Sequence, residues 1–272
     1  MFTGIVAGTA QVERLADRAG LRSFTLRFGV PGFGAGLEVG ASVAVDGACL
    51  TVTGLHRAAS VVEHTADDPT DFAARGEIFA ADFDVMQQSL ALTTLGALVE
   101  GSEVNVERAA RDGAEIGGHP LSGHVDGLGT LVQVRRPENN HVLRIALPAR
   151  LRRYVFAKGY VAVNGCSLTA AEVDRHEGWF EVWLIPETLR MTTFAAKREG
   201  DALNIEIERQ TQVFVDTVRE AIDERLGPLV PALERLLRER GGSLEALATD
   251  LTADLAADLA APVPPPGTQG KT

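Results

Sequence analysis

The sequence predicts an all-β protein of two similar domains, followed by α-helices. Three observations lead to this prediction: an internal repeat, a series of short strand-like segments up to residue 208, and a helical spacing of apolar residues from residue 211 onward. The segments before residue 208 are rich in Val, Thr and Phe and are separated by Gly, Pro, Asn and Asp. Such a pattern is typical of an all-β barrel or sandwich in each half.

The repeat is clearest in a predicted hairpin. VAVDGACLTVT at residues 43–53 recurs as VAVNGCSLTAA at residues 161–171, at an offset of 118 residues. Each copy alternates around Asp46-Gly47 or Asn164-Gly165, which are turn dipeptides typical of a tight β-hairpin. Cys49 and Ser167 occupy matched positions. We therefore predict that both halves place a small nucleophilic side chain just beyond a hairpin turn.

Two further matches occur in the same order along the chain. Residues 4–8 match residues 123–127 at an offset of 119, and SLALTTL at 89–95 matches TLRMTTF at 188–194 at an offset of 99. Two copies do not make a solenoid, which needs at least three repeats. The sequence therefore predicts like domains at residues 1–119 and 120–210.

The fall in offset from 118 to 99 gives the first copy 19 extra residues, within about residues 55–83. The centre of this insertion, DDPTD at residues 67–71, is rich in turn-forming residues. We predict a lengthened surface hairpin, since longer loops add little closure entropy. A functional lid is the alternative.

From residue 211 onward the apolar residues have a helical spacing. Residues 211–227 place Val215, Val218 and Ile222 on one face and charged residues elsewhere, which predicts an amphipathic helix. Residues 228–272 predict a short helix over PALERLLRER, a second helix capped by Ser243, and a disordered Pro-rich tail. The role of this helical extension is left open by its sequence.

Composition excludes some classes of protein. The 272 residues carry a net charge of −11 and a pI near 5.1, which argues against a nucleic-acid partner. No apolar run is long enough to predict a membrane span. Two cysteines are too few for a disulfide framework, and the N-terminus lacks the pattern of a secretion signal. We therefore expect a cytoplasmic location with reduced thiols.

Six motifs follow one another in a characteristic order: MFTGIV, GASVAVDGACLTVT, EVNVERA, EIGGHPLSGHVDG, KGYVAVNGCSLTAAEV and LIPETLRMTT. Together they resemble the riboflavin synthase family over residues 1 to about 225. The resemblance implies two six-stranded antiparallel Greek-key barrels and a homotrimer assembled partly through the helix at residues 211–227. It also implies that two 6,7-dimethyl-8-ribityllumazine molecules exchange a four-carbon unit, giving riboflavin and 5-amino-6-ribitylaminouracil. No metal or organic cofactor is implied.

The resemblance further implies an active site between subunits. One half-site comes from the N-terminal barrel and the other from the C-terminal barrel of a neighbouring subunit. Two like molecules are then held face to face, and most of the rate gain is expected from their orientation.

By resemblance, each barrel has a pocket for one molecule. The predicted N-terminal pocket is lined by Gly4, Ile5, Val6, Cys49, Leu50, Thr51, Asp84, Val85, Met86, Gln87, Gln88 and Ser89, with Phe2 beside it to cover the ring system. The predicted C-terminal pocket is lined by Gly123, His124, Val125, Lys158, Ser167, Leu168, Thr169, Ile185, Pro186, Glu187, Thr188, Leu189 and Arg190.

The predicted catalytic residues are Cys49, His124, Ser167, Thr169 and Glu208. His124 is expected to move protons near neutral pH. Cys49 and Ser167 are expected to activate or hold a hydroxide or a ribityl oxygen. The alternatives are that Cys49 is a small core residue and that Ser167 and Thr169 are only strand residues.

A metal site and a chemical role for the second cysteine are not expected. His119 and His124 have the spacing of metal ligands, but no cysteine or carboxylate set completes a site, so we expect no metal. Cys166 precedes Ser167 by one position, and strand alternation therefore predicts that it faces the core.

Two departures from the family pattern bear on the reaction rate and on binding, respectively. Glu208 stands where the family usually has Asp, and Gln87-Gln88-Ser89 stand where it often has Lys-Glu-Thr. The second departure predicts different or weaker lumazine binding in the N-terminal pocket. One alternative function is a non-catalytic lumazine- or flavin-binding protein, and another is a structural trimer whose added helices recruit a partner.

Overall fold

The computed structural model describes residues 1–57, 78–138, 140–246 and 249. Residues up to 108 form a closed antiparallel barrel in which the strands neighbour one another in the order β1-β2-β5-β4-β3-β6. These strands are β1 (Gly8–Arg18), β2 (Leu21–Phe28), β3 (Ser42–Val45), β4 (Ala48–Arg57), β5 (Ile78–Met86) and β6 (Glu103–Arg108).

The second half of the repeat forms a second closed barrel with the same strand order, β7-β8-β11-β10-β9-β12. Its strands are β7 (Gly127–Arg135), β8 (His141–Ala146), β9 (Tyr160–Val163), β10 (Cys166–Asp174), β11 (Trp179–Leu184) and β12 (Ala202–Ile207). The prediction of two like six-stranded barrels is confirmed.

Alternation along the strands produces each core. On β4, Leu50 and Val52 are buried inside the N-terminal barrel, whereas Cys49 and Thr51 face outward. Burial of one such side chain contributes about 1.5–3 kcal/mol. Cys166 is likewise buried, as predicted, and this burial raises the pKa of its thiol to about 12.

The extra residues of the first copy lie between β4 and β5. These strands pair as a hairpin joined by residues 58–77, whereas β10 and β11 are joined by residues 175–178 alone. The predicted turn at residues 67–71 lies outside the described residues, and so does the alternative of a lid.

Short helices follow the fifth strand of each barrel, at α1 (Gln87–Leu92) and α3 (Pro186–Met191). Each is followed by a 3-10 turn in which a threonine hydroxyl, of Thr93 or Thr192, accepts a backbone N–H two residues further on. A third short helix, α2 (Ala149–Arg152), lies between β8 and β9.

The barrels share an apolar contact and a polar network. Phe2 pairs with Leu121 through two backbone hydrogen bonds of 2.8 and 2.9 Å, and both side chains are buried with Ala44 and Ala162. The network consists of Asp46, Asn105, Asn164 and Asn204, whose amides cross between barrels: Asn105 Nδ2 donates to Asn164 O, and Asn204 Nδ2 donates to Asp46 O.

Two helices follow the barrels, α4 (Arg209–Leu226) and α5 (Val230–Glu239). They confirm the helices predicted at residues 211–227 and over PALERLLRER. Ser243 accepts the Ala246 N–H at 3.1 Å, which confirms its predicted capping role. The chain divides into two compact units, Met1–Val213 and Phe214–Thr272, so both barrels belong to one unit.

Among the helices of the described residues, none has the length and apolarity needed to cross a membrane. The cytoplasmic location expected from the sequence stays a prediction.

Candidate active site

The segment before β1 reaches from the N-terminal barrel to the C-terminal barrel. Thr3 N–H and Gly4 N–H donate to the Glu107 carboxylate on β6, at 2.6 and 3.1 Å. The carbonyl of Gly4 then accepts the Ser167 N–H from β10, at 2.9 Å. Ser167 is therefore held against the opening segment of the other barrel.

The repeat places an equivalent segment before β7. Ser122 N–H and Gly123 N–H donate to the Glu206 carboxylate on β12, at 2.7 and 3.1 Å. The carbonyl of Gly123 accepts the Cys49 N–H from β4, at 2.8 Å. Cys49 and Ser167 thus occupy matched environments, each completed by the opposite barrel.

This exchange corrects the predicted grouping of pocket residues. The resemblance placed Gly4, Ile5 and Val6 with Cys49, and Gly123, His124 and Val125 with Ser167. In the structure Gly4 contacts Ser167, and Gly123 contacts Cys49. The repeat identified equivalent positions, but each opening segment contacts the other copy.

Glycine is required where the segments meet. Gly4 has φ +74°, and a Cβ there would lie 2.5 Å from the Ser167 Cβ. Gly123 has φ +78°, and a Cβ there would lie 2.5 Å from the Cys49 Cβ. No side chain fits at such a separation, and the backbone conformation itself favours glycine.

His119 is a functional candidate that the sequence reasoning considered only as a metal ligand. Its Nδ1 lies 2.6 Å from Ser167 Oγ, and its ring stacks on Tyr160 with centroids 5.2 Å apart. The signal in the sequence is the Gly117-Gly118 pair before His119, which is typical of a close backbone approach. In the structure a Cβ at Gly118 would lie 2.4 Å from the Thr3 carbonyl oxygen and 2.7 Å from the Ser167 Cβ. The absence of a Cβ at Gly118 allows this loop to place His119 beside the serine hydroxyl.

The imidazole of His119 is buried, and burial lowers its pKa below the usual value. Its Nε2 has no hydrogen-bond partner within the described part of the chain. A neutral imidazole beside a hydroxyl can accept its proton, and this pair has the geometry of a base and a nucleophile.

Glu208 lies at the start of α4 and interacts electrostatically with His119. Its carboxylate accepts the backbone N–H groups of Gln210 and Thr211, at 3.1 and 2.6 Å. Burial alone would raise its pKa, but these hydrogen bonds and His119 hold the pKa below its usual value. An ionised Glu208 favours the protonated form of His119.

His124 is exposed and follows Gly123, whose carbonyl accepts the Cys49 N–H. His124 is therefore near Cys49. Its backbone N–H donates to the Ser122 hydroxyl at 3.1 Å, and it lines a cavity of about 30 Å³ with Asp126 and Arg209. The expectation that this histidine serves the Ser167 pocket is therefore wrong for a single chain, where His119 holds that place.

Several predicted pocket residues have buried side chains. Phe2 is 1% exposed between the barrels, so the expectation that it covers a bound ring is wrong. Barrel cores or the contact between barrels also bury the side chains of Val6, Leu50, Val85, Val125 and Leu168. Strand alternation turns Leu50, Val85 and Leu168 inward, whereas Val6 and Val125 are buried in the segments before β1 and β7. Only the backbone of these five residues is available to a ligand.

The remaining predicted residues of the N-terminal pocket lie on the outer surface. Thr51, Asp84, Met86, Gln87 and Gln88 are exposed, and Ser89 is half-buried. Asp84 accepts the Ser23 hydroxyl at 2.5 Å. This pocket therefore presents a carboxylate and uncharged amides.

The C-terminal pocket presents a different surface. Lys158, Thr169, Ile185, Pro186, Glu187 and Arg190 are exposed, and Thr188 and Leu189 are half-buried. Glu187 and Arg190 form an ion pair on α3, which contributes little to stability at such exposure. Lys158 lies in a turn with φ +67° and donates its N–H to Ala170 O at 2.7 Å.

A cavity of about 420 Å³ lies between the opening segment and the residues that follow β6, and its lining includes Thr3, Ile5, Glu107 and Gly117 but not Ser167. Its volume is in the range of small-molecule sites. Among the described residues, no group of three or more His, Cys, Asp or Glu side chains is placed to hold a metal ion.

Comparison with known proteins identifies relatives. The model of a family described as the lumazine binding domain matches residues 3–109 and 122–208, which is one match in each barrel. Riboflavin synthase of Escherichia coli K12 is 38% identical over 226 residues, covering 83% of this chain and 95% of that protein. Riboflavin synthase of Mycobacterium tuberculosis H37Rv is 39% identical over 212 residues, covering 76% and 93%.

Solved structures of LumP share the fold. LumP complexed with riboflavin has a TM-score of 0.63 at 20% identity, covering 76% of this chain and all of that chain. LumP complexed with 6,7-dimethyl-8-(1'-D-ribityl) lumazine has a TM-score of 0.61 at the same identity and coverage of this chain.

Proposed function

This chain belongs to the riboflavin synthase family, and from that membership we propose how its two barrels divide the reaction. The chain is a transferase that moves a four-carbon unit between two molecules of 6,7-dimethyl-8-ribityllumazine. The products are riboflavin and 5-amino-6-ribitylaminouracil. The observation that carries the proposal is the pair of matched sites at Cys49 and Ser167, each completed by the opposite barrel.

Two like sites suit a reaction between two like molecules. Each barrel binds one lumazine on its outer surface, near Cys49 or Ser167. The exposed backbone and hydroxyl groups there hydrogen-bond the uracil-like ring edge and the ribityl chain. Holding both molecules in a fixed orientation turns a bimolecular encounter into a positioned one.

The Ser167 site provides the nucleophile. The reaction needs a proton taken from the acidic C7 methyl of one molecule and a nucleophile added to C7 of the other. His119, neutral because it is buried, accepts the Ser167 proton as the Ser167 oxygen forms a bond to C7 of the bound lumazine, and the ring system takes up the electron pair of the C7 double bond. Glu208 stabilises the imidazolium that forms.

The Cys49 site differs from the Ser167 site. Cys49 is half-buried, and its backbone N–H donates to the Gly123 carbonyl. The exposed His124 follows Gly123 in the chain. We assign Cys49 to holding the second molecule, with Thr51 and Asp84 beside the ribityl chain. Thr169 plays the corresponding part in the C-terminal pocket.

We further infer a homotrimer in which the N-terminal pocket of one subunit faces the C-terminal pocket of the next. Helix α4 supports this inference, because Val213, Phe214, Val218, Ile222 and Leu226 are 41–70% exposed along it. An amphipathic helix with so much exposed apolar surface is stabilised when a partner covers it.

A non-catalytic binder of lumazine or flavin is the second candidate function, since the fold shared with LumP is compatible with either function. A protein that only binds needs no base beside its serine. The His119–Ser167 pair, together with the retained Cys49 site, therefore favours the enzyme.

The two functions are separated by incubating purified protein with 6,7-dimethyl-8-ribityllumazine and following riboflavin absorbance. The enzyme is expected to release one riboflavin for every two lumazines consumed. Tight binding of lumazine without riboflavin formation would select the binder.

A further inference from the structure

Trp183 lies on the outer surface of the C-terminal barrel, where it is 49% exposed. Its neighbour Val182 is buried and pairs with Ala170 of β10. This is the last pair of the β10–β11 ladder, and the next residues along the two strands, Thr169 on β10 and Trp183 on β11, are both exposed. The indole is therefore a wall of the predicted C-terminal pocket, on the strand next to Ser167.

Two other large side chains are exposed in this part of the barrel. Tyr160 pairs with Thr169 from β9 and is 54% exposed, and Ile185 is 63% exposed. Tyr160 also stacks on His119, so this surface continues to the candidate base. A cluster of exposed apolar side chains marks a binding surface.

The matched surface of the N-terminal barrel is polar. Val52 pairs with Phe83 at the end of the β4–β5 ladder, and the next residues along the two strands, Thr51 and Asp84, are both exposed. Asp84 thus occupies the place of Trp183, and Ser42, which pairs with Thr51, occupies the place of Tyr160. The two pockets are therefore formed by equivalent strands but carry different side chains on their surfaces.

Resting on the proposed function, we propose that Trp183 contacts the substrate and makes the C-terminal pocket the tighter of the two. Its indole packs against the conjugated ring system of the bound lumazine or flavin. A flat heteroaromatic ring gains stacking energy on an aromatic side chain, whereas a carboxylate such as Asp84 can only accept hydrogen bonds.

The test is a titration with riboflavin, followed by quenching of the flavin fluorescence, which resolves two classes of site per chain. In Trp183→Thr, the tighter class is expected to weaken about ten-fold or more. Trp183→Phe keeps an aromatic ring and is expected to stay within about three-fold of the wild type. Asp84→Ala is expected to leave the tighter class unchanged.

Trp179→Phe is the matched control, because this tryptophan lies on the same strand but stacks under Arg144 and donates to Glu177. It is expected to leave both classes unchanged. Trp183→Gln serves the same purpose as Trp183→Thr should the threonine variant fold poorly.

The inference is overturned if Trp183→Thr or Trp183→Gln leaves the tighter class within two-fold of the wild type, or weakens only the weaker class. Conversion of lumazine by the wild-type protein is measured separately. Failure of that conversion would reject the enzymatic function, while the Trp183 titration would still decide which pocket the indole serves.

Discussion

The Nδ1 atom of His119 lies 2.6 Å from the Oγ atom of Ser167, although the residues are 48 positions apart. His119 lies in the loop between the barrels, and Ser167 lies on the outer face of β10. The packing of the two barrels therefore places the imidazole within hydrogen-bond distance of the serine hydroxyl, where it can act as a general base.

Replacing His119 with Gln should lower kcat about a hundred-fold or more, because glutamine can keep a hydrogen bond to Ser167 but cannot accept its proton. Burial lowers the pKa of His119 below 6.5, the ordinary value for histidine. The wild-type rate should therefore fall as the pH drops through this lowered pKa, because His119 becomes protonated and can no longer act as a base. This acid limb should be absent in His119→Gln. Steady-state kinetics between pH 5 and 8 measure both effects. His176→Ala, at an exposed turn, is the control, and a wild-type rate in His119→Gln would remove the base from the mechanism.

Replacing Ser167 or Cys49 with Ala should lower turnover with the fold intact, by roughly a hundred-fold for Ser167 and roughly ten-fold for Cys49. The difference is expected because Ser167 alone has the His119 hydrogen bond. Turnover and circular dichroism of the purified variants provide the measurement. Cys166→Ala changes a neighbouring thiol that faces the core and should retain activity. Unchanged rates in both Ser167→Ala and Cys49→Ala would undo their assignment.

Replacing Gly4 with Ala should destabilise the barrel pair far more than replacing Gly20. Both glycines have φ near +75°, which costs an alanine roughly 1 kcal/mol. A Cβ at Gly20 meets nothing within 4 Å, whereas a Cβ at Gly4 would clash with Ser167 at 2.5 Å. We expect about 1–3 kcal/mol of additional destabilisation in Gly4→Ala. Urea unfolding of both variants measures the difference. An equal loss of unfolding free energy in the two variants would argue against the contact between Gly4 and Ser167.

Replacing Asp46 with Asn should stabilise the protein at pH 8 more than at pH 5. Burial raises the pKa of Asp46 to about 6, opposed by the Asn105 hydrogen bond and the charge of Lys197. The native state thus binds the Asp46 proton more tightly than the unfolded chain, so the contribution of this group is full below about pH 4 and is lost as pH rises through about 6.

The amide introduced by Asp46→Asn would stay neutral and keep an acceptor for the Asn105 N–H, so we expect a gain on the order of 1 kcal/mol at pH 8. Urea unfolding at the two pH values provides the measurement. Asn164→Asp is the matched control, because Asn164 makes the equivalent contact with Asn204 in the other barrel. This variant should lose stability as the pH rises. An equal gain in unfolding free energy at both pH values in Asp46→Asn would contradict the raised pKa of Asp46.

Truncation after Leu226 should leave the proposed trimer and its activity largely unaltered, because α4 and its exposed apolar face are retained. By contrast, Ile222→Asp places a charge on the exposed apolar face of α4 and should dissociate the trimer and reduce turnover. Sedimentation and turnover assays measure both variants. Collapse of the truncated chain to inactive monomer would make the extension part of the assembly.

The sequence could predict the features that depend on neighbours along the chain. Strand alternation predicted the inward position of Cys166, and helical spacing predicted α4 and α5. The hairpin dipeptide Asp46-Gly47 predicted the β3–β4 turn, where both residues have positive φ. Each of these signals is local, because backbone period and turn conformation are set within a few residues.

The sequence could not predict which copy completes which site. Gly4 and Gly123 are equivalent by repeat, so the repeat permits each to contact its own barrel or the other one. The choice is made by hydrogen bonds to Ser167 and Cys49, residues far away along the chain. For the same reason, His124 was expected at the site that His119 occupies.

By itself, therefore, the sequence determined that this protein has two like barrels, an added helical end and a pair of matched small nucleophilic side chains. Only the tertiary structure decided that the opening segments cross, that Phe2 is buried between the barrels, and that His119 reaches Ser167. The physical reason is that a repeated pattern fixes what each copy can form. Which copy contacts which depends on packing and hydrogen bonds between distant residues, and no local period records them.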